Sequence, residues 1–144
     1  MDLLKLKFLR PLEPYATLIL RVGLGLIMIH HGWMKVGMGA AGVSGFFGSL
    51  GIPMPGVMAW VVIIVEFVGG ICILLGVLPR VWGLLFSIDM LVAVLVALMP
   101  KSKGFLDGYE LELIIGLLAF TLALTGGGKP ALGPMIGLSD DDPV

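Results

Sequence analysis

Residues 57–99 read VMAWVVIIVEFVGGICILLGVLPRVWGLLFSIDMLVAVLVALM, and this stretch decides the fold. It consists of two apolar runs, 57–77 and 81–99, separated by a tight turn that contains a proline. A helix that crosses a bilayer needs about 20 mostly apolar residues, and both runs meet that requirement. Because the turn between them is so short, the stretch predicts an antiparallel hairpin of two transmembrane helices.

Two further apolar segments, 16–36 and 105–125, have similar length and character, and prolines or glycines stand at their limits as expected for helix ends. Of the 144 residues, 58% are hydrophobic and only 13% are charged, whereas a soluble domain carries about 25% charged residues. So few charges cannot cover a surface that faces water. The sequence therefore predicts an all-α membrane protein, a four-transmembrane-helix antiparallel bundle.

The chain is predicted to contain one membrane domain, residues 1–132, followed by an acidic, disordered tail, residues 133–144. Residues 37–56, GMGAAGVSGFFGSLGIPMPG, join the first two spans; they are too few to cross the membrane. Because they include Phe46 and Phe47, a short interfacial or re-entrant segment that caps the bundle is one interpretation. An ordinary glycine-rich loop is the other.

Charge distribution gives an orientation and excludes some functions. One face would carry five basic residues and the other three, which favours both termini in the cytoplasm; these residues are Lys5, Lys7, Arg10, Arg80 and Lys129 against Lys35, Lys101 and Lys103. The net charge of −1, without a basic patch, gives no sign of nucleic-acid binding. The single cysteine, Cys72, excludes an internal disulfide or dithiol relay.

Ionisable residues inside the apolar runs are the strongest functional signal, because each costs about 2.5–3.5 kcal/mol at the bilayer centre. They are Arg21, His30, His31, Lys35, Glu66, Asp89, Glu110 and Glu112. At about 1.5 Å per residue, four of them lie about 7 to 15 Å from the same end of the bundle. These four, one on each helix, are His31, Glu66, Asp89 and Glu112.

Helical periodicity predicts that these groups face inward. Asp89 shares a stripe with Ala93 and Ala97, and Glu66 shares one with Gly70. Small residues mark the contacts between membrane helices, since they let backbones approach closely. Two more stripes follow the same pattern: Arg21 with Gly25, Met28 and Gly32, and Glu112 with Gly116, Ala119 and Ala123.

Each ionisable residue also has an ordinary structural interpretation. Lys35 and Arg21 could extend to the interface and leave their charges in water, and Glu110 could cap the start of its helix. Glu66 and Asp89 are too short to do so from mid-helix, so they must be protonated, paired or hydrated. A purely structural hydrogen bond between helices remains open for them.

The residue types favour a proton-exchanging pocket for a hydrophobic, redox-active ligand such as a quinone, since carboxylates and a histidine could pass protons there. The candidate residues are Arg21, His31, Glu66, Asp89 and Glu112, with Lys35, Glu110 and His30 as secondary candidates. Adjacent His30 and His31 cannot place axial ligands on opposite sides of a haem. No metal site is predicted, because the spacing of possible ligands is not diagnostic, and no nucleophile or phosphate-binding motif is present.

Several motifs resemble the DoxX family of small bacterial membrane proteins. The segment RVGLGLIMIHHGWMKV, residues 21–36, resembles the family's first helix, with an HGxxK-like element at 31–35. GIPMP at 51–55 and IIVEFVGGICILLGVLPRVWGLLF at 63–86 resemble its next hairpin, and 103–132 resembles the last helix and its glycine-rich exit. Ala131-Leu132-Gly133 departs from the family's Ser-Leu-Asp-like ending.

The resemblance implies a four-helix protein of the bacterial inner membrane that is linked to respiratory or oxidative-stress redox chemistry, including quinone-coupled sulfur oxidation. We therefore expect a redox-associated subunit with a quinone-like ligand pocket and no covalently bound cofactor. The alternative is a non-enzymatic accessory, scaffold or assembly subunit of a larger membrane complex. Expected partners are the lipid bilayer and either such a complex or further copies of the chain, and whether the protein is an enzyme stays undecided.

Overall fold

A computed structural model describes residues 5–101, 105–106 and 108–138, and every regular element in these ranges is helical. The four main helices are α1 (Ala16–Ser49), α2 (Pro55–Leu75), α3 (Pro79–Val92) and α4 (Glu110–Thr125). A 3-10 helix, Lys7–Tyr15, precedes α1, and another, Gly133–Ile136, follows α4. Beyond α3 the chain continues as a π-helical segment, Ala93–Leu98, and a 3-10 turn, Met99–Lys101.

Within the part of the chain that the structure describes, three helical stretches are long and apolar enough to cross a membrane: Lys7–Ser49, Pro55–Leu75 and Pro79–Lys101. The fourth, α4, has 16 residues and begins at Glu110, so the predicted start at residue 105 is wrong. Tyr109, just before it, has a non-helical backbone, and the Gly108 N–H donates to Glu110 Oε2 over 3.4 Å. The Glu110 side chain thus lies at the helix start, as its structural interpretation predicted.

Helix α1 does not end at residue 36 but continues to Ser49 through a break at Gly39. Gly39 has φ 75° and ψ 152°, a backbone conformation that only glycine adopts readily. Beyond the break, Val43 and Phe47 pack against Ala59 and Ile63 of α2 in a small apolar cluster. The connection is therefore a helix that covers the bundle, and the loop interpretation is wrong.

Close backbone approach holds the helices together in pairs. On α1, a Cβ atom added to Gly32 would lie 2.5 Å from the backbone nitrogen of Phe67 in α2. The α3–α4 contact is similar, since a Cβ on Gly83 would lie 2.7 Å from the Ala119 carbonyl oxygen. The predicted inward stripes that contain Gly32 and Ala119 are confirmed as packed faces.

Arg21 closes the C-terminal end of α2. Its side chain is 2% exposed, and the guanidinium donates to the carbonyls of Ile73 (2.9 Å), Leu74 (3.1 Å), Gly127 (2.9 Å) and Pro130 (2.7 Å). The last carbonyls of a helix have no partner within it, so this arginine satisfies two of them. The interpretation that Arg21 extends to the interface is wrong.

The segment after α4 is held by the same end of α2. The Gly133 N–H donates to the Gly76 carbonyl over 3.1 Å, and Gly133 itself is buried. Gly76 has φ 74°, and a Cβ there would meet the Arg21 guanidinium at 2.8 Å, so both its conformation and its neighbour require glycine. Residues 133–138 of the predicted tail therefore have defined structure, and 139–144 lie outside the described residues.

Replacing Gly32 with alanine should destabilise the bundle by about 1–3 kcal/mol, the usual cost of forcing extra atoms into a packed site. The new Cβ would collide with the backbone of Phe67, which cannot rotate away. Gly23→Ala and Gly37→Ala are matched controls on α1, since nothing lies within 4 Å of a Cβ at either position. Unfolding of the purified protein in mixed micelles measures the difference; equal stability of all three variants would contradict this packing.

Arg21→Met should lower the free energy of unfolding by at least about 2 kcal/mol, because it removes four hydrogen bonds from a charged donor, and a hydrogen bond to a charged group contributes about 1.5–3 kcal/mol. The same variant should make the chain after Gly126 easier to cleave by protease. Arg10→Met is the control, since Arg10 is exposed. Unchanged stability together with unchanged cleavage of the C-terminal segment would show that the guanidinium does not secure it.

Candidate functional site

An ion pair between α1 and α2 is the centre of the candidate site. Lys35 Nζ donates to both carboxylate oxygens of Glu66, at 2.7 and 2.6 Å. The Glu66 side chain is 2% exposed and that of Lys35 is 24% exposed. Because Gly32 allows the two backbones to meet at Phe67, a lysine one turn further along α1 reaches a glutamate at mid-helix. The prediction that Lys35 extends to the interface is wrong.

Asp89 of α3 lies next to this pair, close enough for its carboxyl group to interact with Glu66 and Lys35. Its Oδ2 atom is shielded from solvent and has no hydrogen-bond partner among the described residues. A buried polar atom without a partner costs about 1–3 kcal/mol, so such atoms are uncommon and often mark a functional site. The two carboxyl groups and one ammonium group thus form a cluster with unused hydrogen-bonding capacity.

The cluster borders a cavity of about 310 Å³, at the lower end of the range of about 300–1,000 Å³ typical of small-molecule sites. Its lining is mainly aliphatic and aromatic, with the ionisable side chains as the exception. Those side chains come from all four helices: His31, Lys35, Glu66, Asp89 and Glu112. An apolar cavity with a few convergent polar groups is the usual form of a ligand site.

The polar and apolar parts of the cavity are separated along its length. On α2 the lining extends from Met58 to Glu66, which places the carboxylate at the end nearer the α2–α3 turn. The other end is covered by Phe46, Phe47 and Leu50 from the second half of α1 and the turn after it. A ligand that fills the cavity would therefore need a polar group at one end and an apolar body.

The π-helical segment Ala93–Leu98 forms part of the wall and contributes both Ala93 and Ala97 to the lining. Single turns of π-helix within α-helices occur frequently at functional sites. The stripe predicted from the sequence, Asp89 with Ala93 and Ala97, therefore lines the cavity. Of the stripe that contains Glu66 and Gly70, Glu66 lines the cavity and Gly70 packs against α1. Small residues here leave room for a ligand as well as for a helix.

A second groove of about 270 Å³ lies between α3 and α4. Glu112 and Met90 line both this groove and the main cavity. Glu112 thus lies on the wall between the main cavity and the groove. It is about one helical turn from Gly116, which packs on Met90. It is the candidate residue that connects the cavity to the α3–α4 side.

The structure brings together four of the five main candidates, and His31, Glu66, Asp89 and Glu112 all border one cavity. Arg21 is not among them, because it binds backbone carbonyls at the other end of α2. Of the secondary candidates, Lys35 joins the cluster, His30 is exposed and Glu110 lies at the start of α4. Whether the cavity residues bind a ligand stays a prediction.

Sequence reasoning undervalued two features of the site. Lys35 is only a secondary candidate from the sequence, although it stands four residues after His31 and therefore shares a helix face with it. Phe46 and Phe47 were noted for their apolar character, but nothing in the local sequence showed that they cover a cavity. Within the described ranges no cluster of three or more His, Cys, Asp or Glu side chains could hold a metal ion.

A double-mutant cycle on Lys35→Met and Glu66→Gln should give a coupling of about 0.5–3 kcal/mol, as expected for residues in direct contact. Each single change leaves the other polar group buried without its partner, whereas the double variant removes both. Unfolding in mixed micelles supplies the four free energies. Lys35→Met combined with Glu110→Gln is the matched control and should be additive, since Glu110 lies outside the cavity; additivity in both cycles would rule out the ion pair.

Comparison with known proteins places the chain among its relatives. The sequence profile of the DoxX family matches residues 16–99, more than half of the chain. A Bacillus subtilis (strain 168) protein named "Putative oxidoreductase CatD" is 35% identical over 122 residues, which cover 84% of this chain and 87% of that protein. An Escherichia coli (strain K12) protein named "Inner membrane protein YqjF" is 36% identical over 76 residues, or 53% of this chain and 56% of that protein. No solved structure matches the chain.

Proposed function

This chain belongs to the DoxX family of membrane proteins, and from that premise we propose that it is a redox-associated membrane protein whose cavity binds a quinone-like ligand. The observation that carries the proposal is the buried, unpartnered Oδ2 of Asp89 beside the Lys35–Glu66 ion pair, at the polar end of an otherwise apolar cavity. The word oxidoreductase in the name of the Bacillus subtilis relative supports the redox class and says nothing of the ligand.

A quinone matches the two parts of the cavity. Its flat, apolar ring suits a lining of aliphatic and aromatic side chains such as Phe47 and Val62, and its oxygen atoms need hydrogen-bonding partners inside the membrane. Protonated Asp89 can donate to a quinone carbonyl, and ionised Asp89 can accept from a quinol hydroxyl. The site therefore has a partner for both redox forms of the ring.

The neighbouring groups suit proton exchange. Lys35 forms its ion pair with Glu66, and the carboxyl group of Asp89 lies beside that pair, where it can hold or release a proton next to a ligand oxygen. His31 and Glu112 also border the cavity, and both side chain types take up and release protons readily. In this proposal they exchange protons between the ring oxygens and the surface of the membrane.

The membrane arrangement completes the proposal. Among the described residues three helical stretches are long enough to cross, and we propose that α4 forms a fourth, shorter crossing antiparallel to α3. The name of the Escherichia coli relative favours the bacterial inner membrane, and the five-to-three distribution of basic residues favours cytoplasmic termini.

Purified wild-type protein should bind a water-soluble benzoquinone, observed as a rise in melting temperature that saturates with concentration. Asp89→Leu should weaken binding about tenfold or more, since leucine has no hydrogen-bonding atom and a buried carbonyl left without a partner costs about 1–3 kcal/mol. Ala97→Phe should abolish binding by filling the cavity. Leu95→Phe is the matched control on the same π-helical segment, because Leu95 is exposed and lies outside the lining.

The proposal fails if wild-type protein binds no benzoquinone, or if Ala97→Phe and Leu95→Phe have equal effects on binding. If quinone binding is absent and partner proteins stay bound through purification, the accessory or scaffold role is favoured, with the polar cluster serving to fix helix register. Both measurements come from the same preparation, so they distinguish the two functions directly.

A further inference from the structure

The cavity is partly open. Five of its lining residues are exposed, and all but Phe46 of α1 stand on α2 and α3, which indicates a mouth between these two helices. Most lining residues are buried or half-buried, but four on these two helices have side chains that are 37–51% exposed. They are Val61 of α2 and Leu85, Ile88 and Val92 of α3. All four are aliphatic, so the rim of the mouth carries no polar group.

The spacing of these residues shows which surface they face. Leu85, Ile88 and Val92 stand at positions i, i+3 and i+7 and therefore share one face of α3. That face is bordered by other exposed aliphatic residues, including Leu84 and Leu91. In a chain that crosses a membrane, an exposed aliphatic helix face at this depth contacts lipid. The mouth therefore opens to the hydrocarbon core.

The hairpin explains why a gap exists at this position. Near the turn, α2 and α3 are in close contact, since a Cβ on Gly69 would lie 2.6 Å from Trp82 and 2.9 Å from Phe86. Farther from the turn the lining residues of both helices, such as Val62 and Val96, face a cavity. The helices thus separate along their length, and the second half of α1 covers the far end.

We infer that the ligand enters from the bilayer through the α2–α3 mouth and is an amphiphile with a long apolar chain, its polar head at Lys35, Glu66 and Asp89 and its chain in the mouth. The inference rests on the proposed quinone site and deepens it, since it names the chain-bearing, membrane-dissolved members of the class. A cavity of about 310 Å³ has room for a ring head and for only part of a long chain. A long chain would have to leave through the aliphatic rim.

Two probes with the same head group distinguish the contribution of the apolar chain to binding from that of the head group. One is a dimethoxy-methyl-benzoquinone without a side chain, and the other is the same quinone with a decyl chain. Val61→Trp and Ile88→Trp each place a large ring at the rim and should weaken binding of the decyl probe about tenfold, or about 1.4 kcal/mol. Binding of the chainless probe should change by less than about threefold, or about 0.65 kcal/mol.

Ile64→Trp and Leu84→Trp are the matched controls. Both residues are exposed on the same two helices and lie outside the lining, so tryptophan there should leave both probes unaffected. Asp89→Leu should weaken both probes alike, because it removes the hydrogen-bonding group of the head site. Two rim variants are used, so that if one does not fold, the other still tests the inference. The melting temperature of each variant checks that it is folded.

The outcomes separate the two proposals. If wild-type protein binds both probes and the rim variants weaken neither, or weaken both equally, the lateral mouth is wrong while the quinone site stands. If wild-type protein binds neither probe, the proposed function is wrong and the inference that rests on it is overturned as well. Selective loss of the decyl probe in the rim variants, with the controls unchanged, is the result expected.

Discussion

The ion pair between Lys35 and Glu66 is the interaction on which the site depends. Moving either charge alone into a low-dielectric interior costs several kcal/mol, and inside a membrane no water is available to lower that cost. The two groups therefore require each other, and they meet only because Gly32 lets α1 and α2 approach at Phe67. Gly32 thus permits the contact between the two helices and, through that contact, sets the position of the Lys35 ammonium group.

The same constraint explains the other end of the bundle. Arg21 is buried where its donors meet four backbone carbonyls, and no carboxylate is among its partners. Arg80 binds the last carbonyls of α4 in the same way: its Nη1 donates to the carbonyls of Ala123 and Leu124 at 3.2 and 2.6 Å. The helix dipole is negative at this end, so cations are favourable there. One end of the bundle is thus secured by arginines and backbone, and the other contains the carboxylates and the cavity.

This division gives the proposed function its physical setting. The end secured by Arg21 is densely bonded, which suits a scaffold that must hold its shape. The end with Glu66 and Asp89 combines a cavity, a π-helical wall and a buried oxygen without a partner. Functional sites commonly retain such unsatisfied features because a ligand or proton completes them. Because of this contrast within one small bundle, we propose that the function lies at the second end.

The membrane class, the α2–α3 hairpin and the set of candidate residues can all be predicted from the amino-acid sequence. Long runs of apolar residues indicate directly that the surrounding solvent is lipid. Carboxylates within such runs are energetically costly, so each one indicates a structural or functional role. Periodicity also placed Asp89 on the same face as Ala93 and Ala97, which line the cavity. These conclusions depend on composition and on spacing within one helix, and both can be read from the chain alone.

The partners of the ionisable groups, by contrast, become visible only when the helices are packed together. Arg21 and Lys35 look alike in sequence, as basic residues on α1, yet one binds carbonyls contributed by α2 and the C-terminal segment while the other binds Glu66. The break at Gly39, beyond which the second half of α1 covers the cavity, cannot be recognised in the sequence either, because the chain contains many other glycines. Partners distant in the chain are chosen by the way helices pack, because packing fixes which buried polar groups can reach each other.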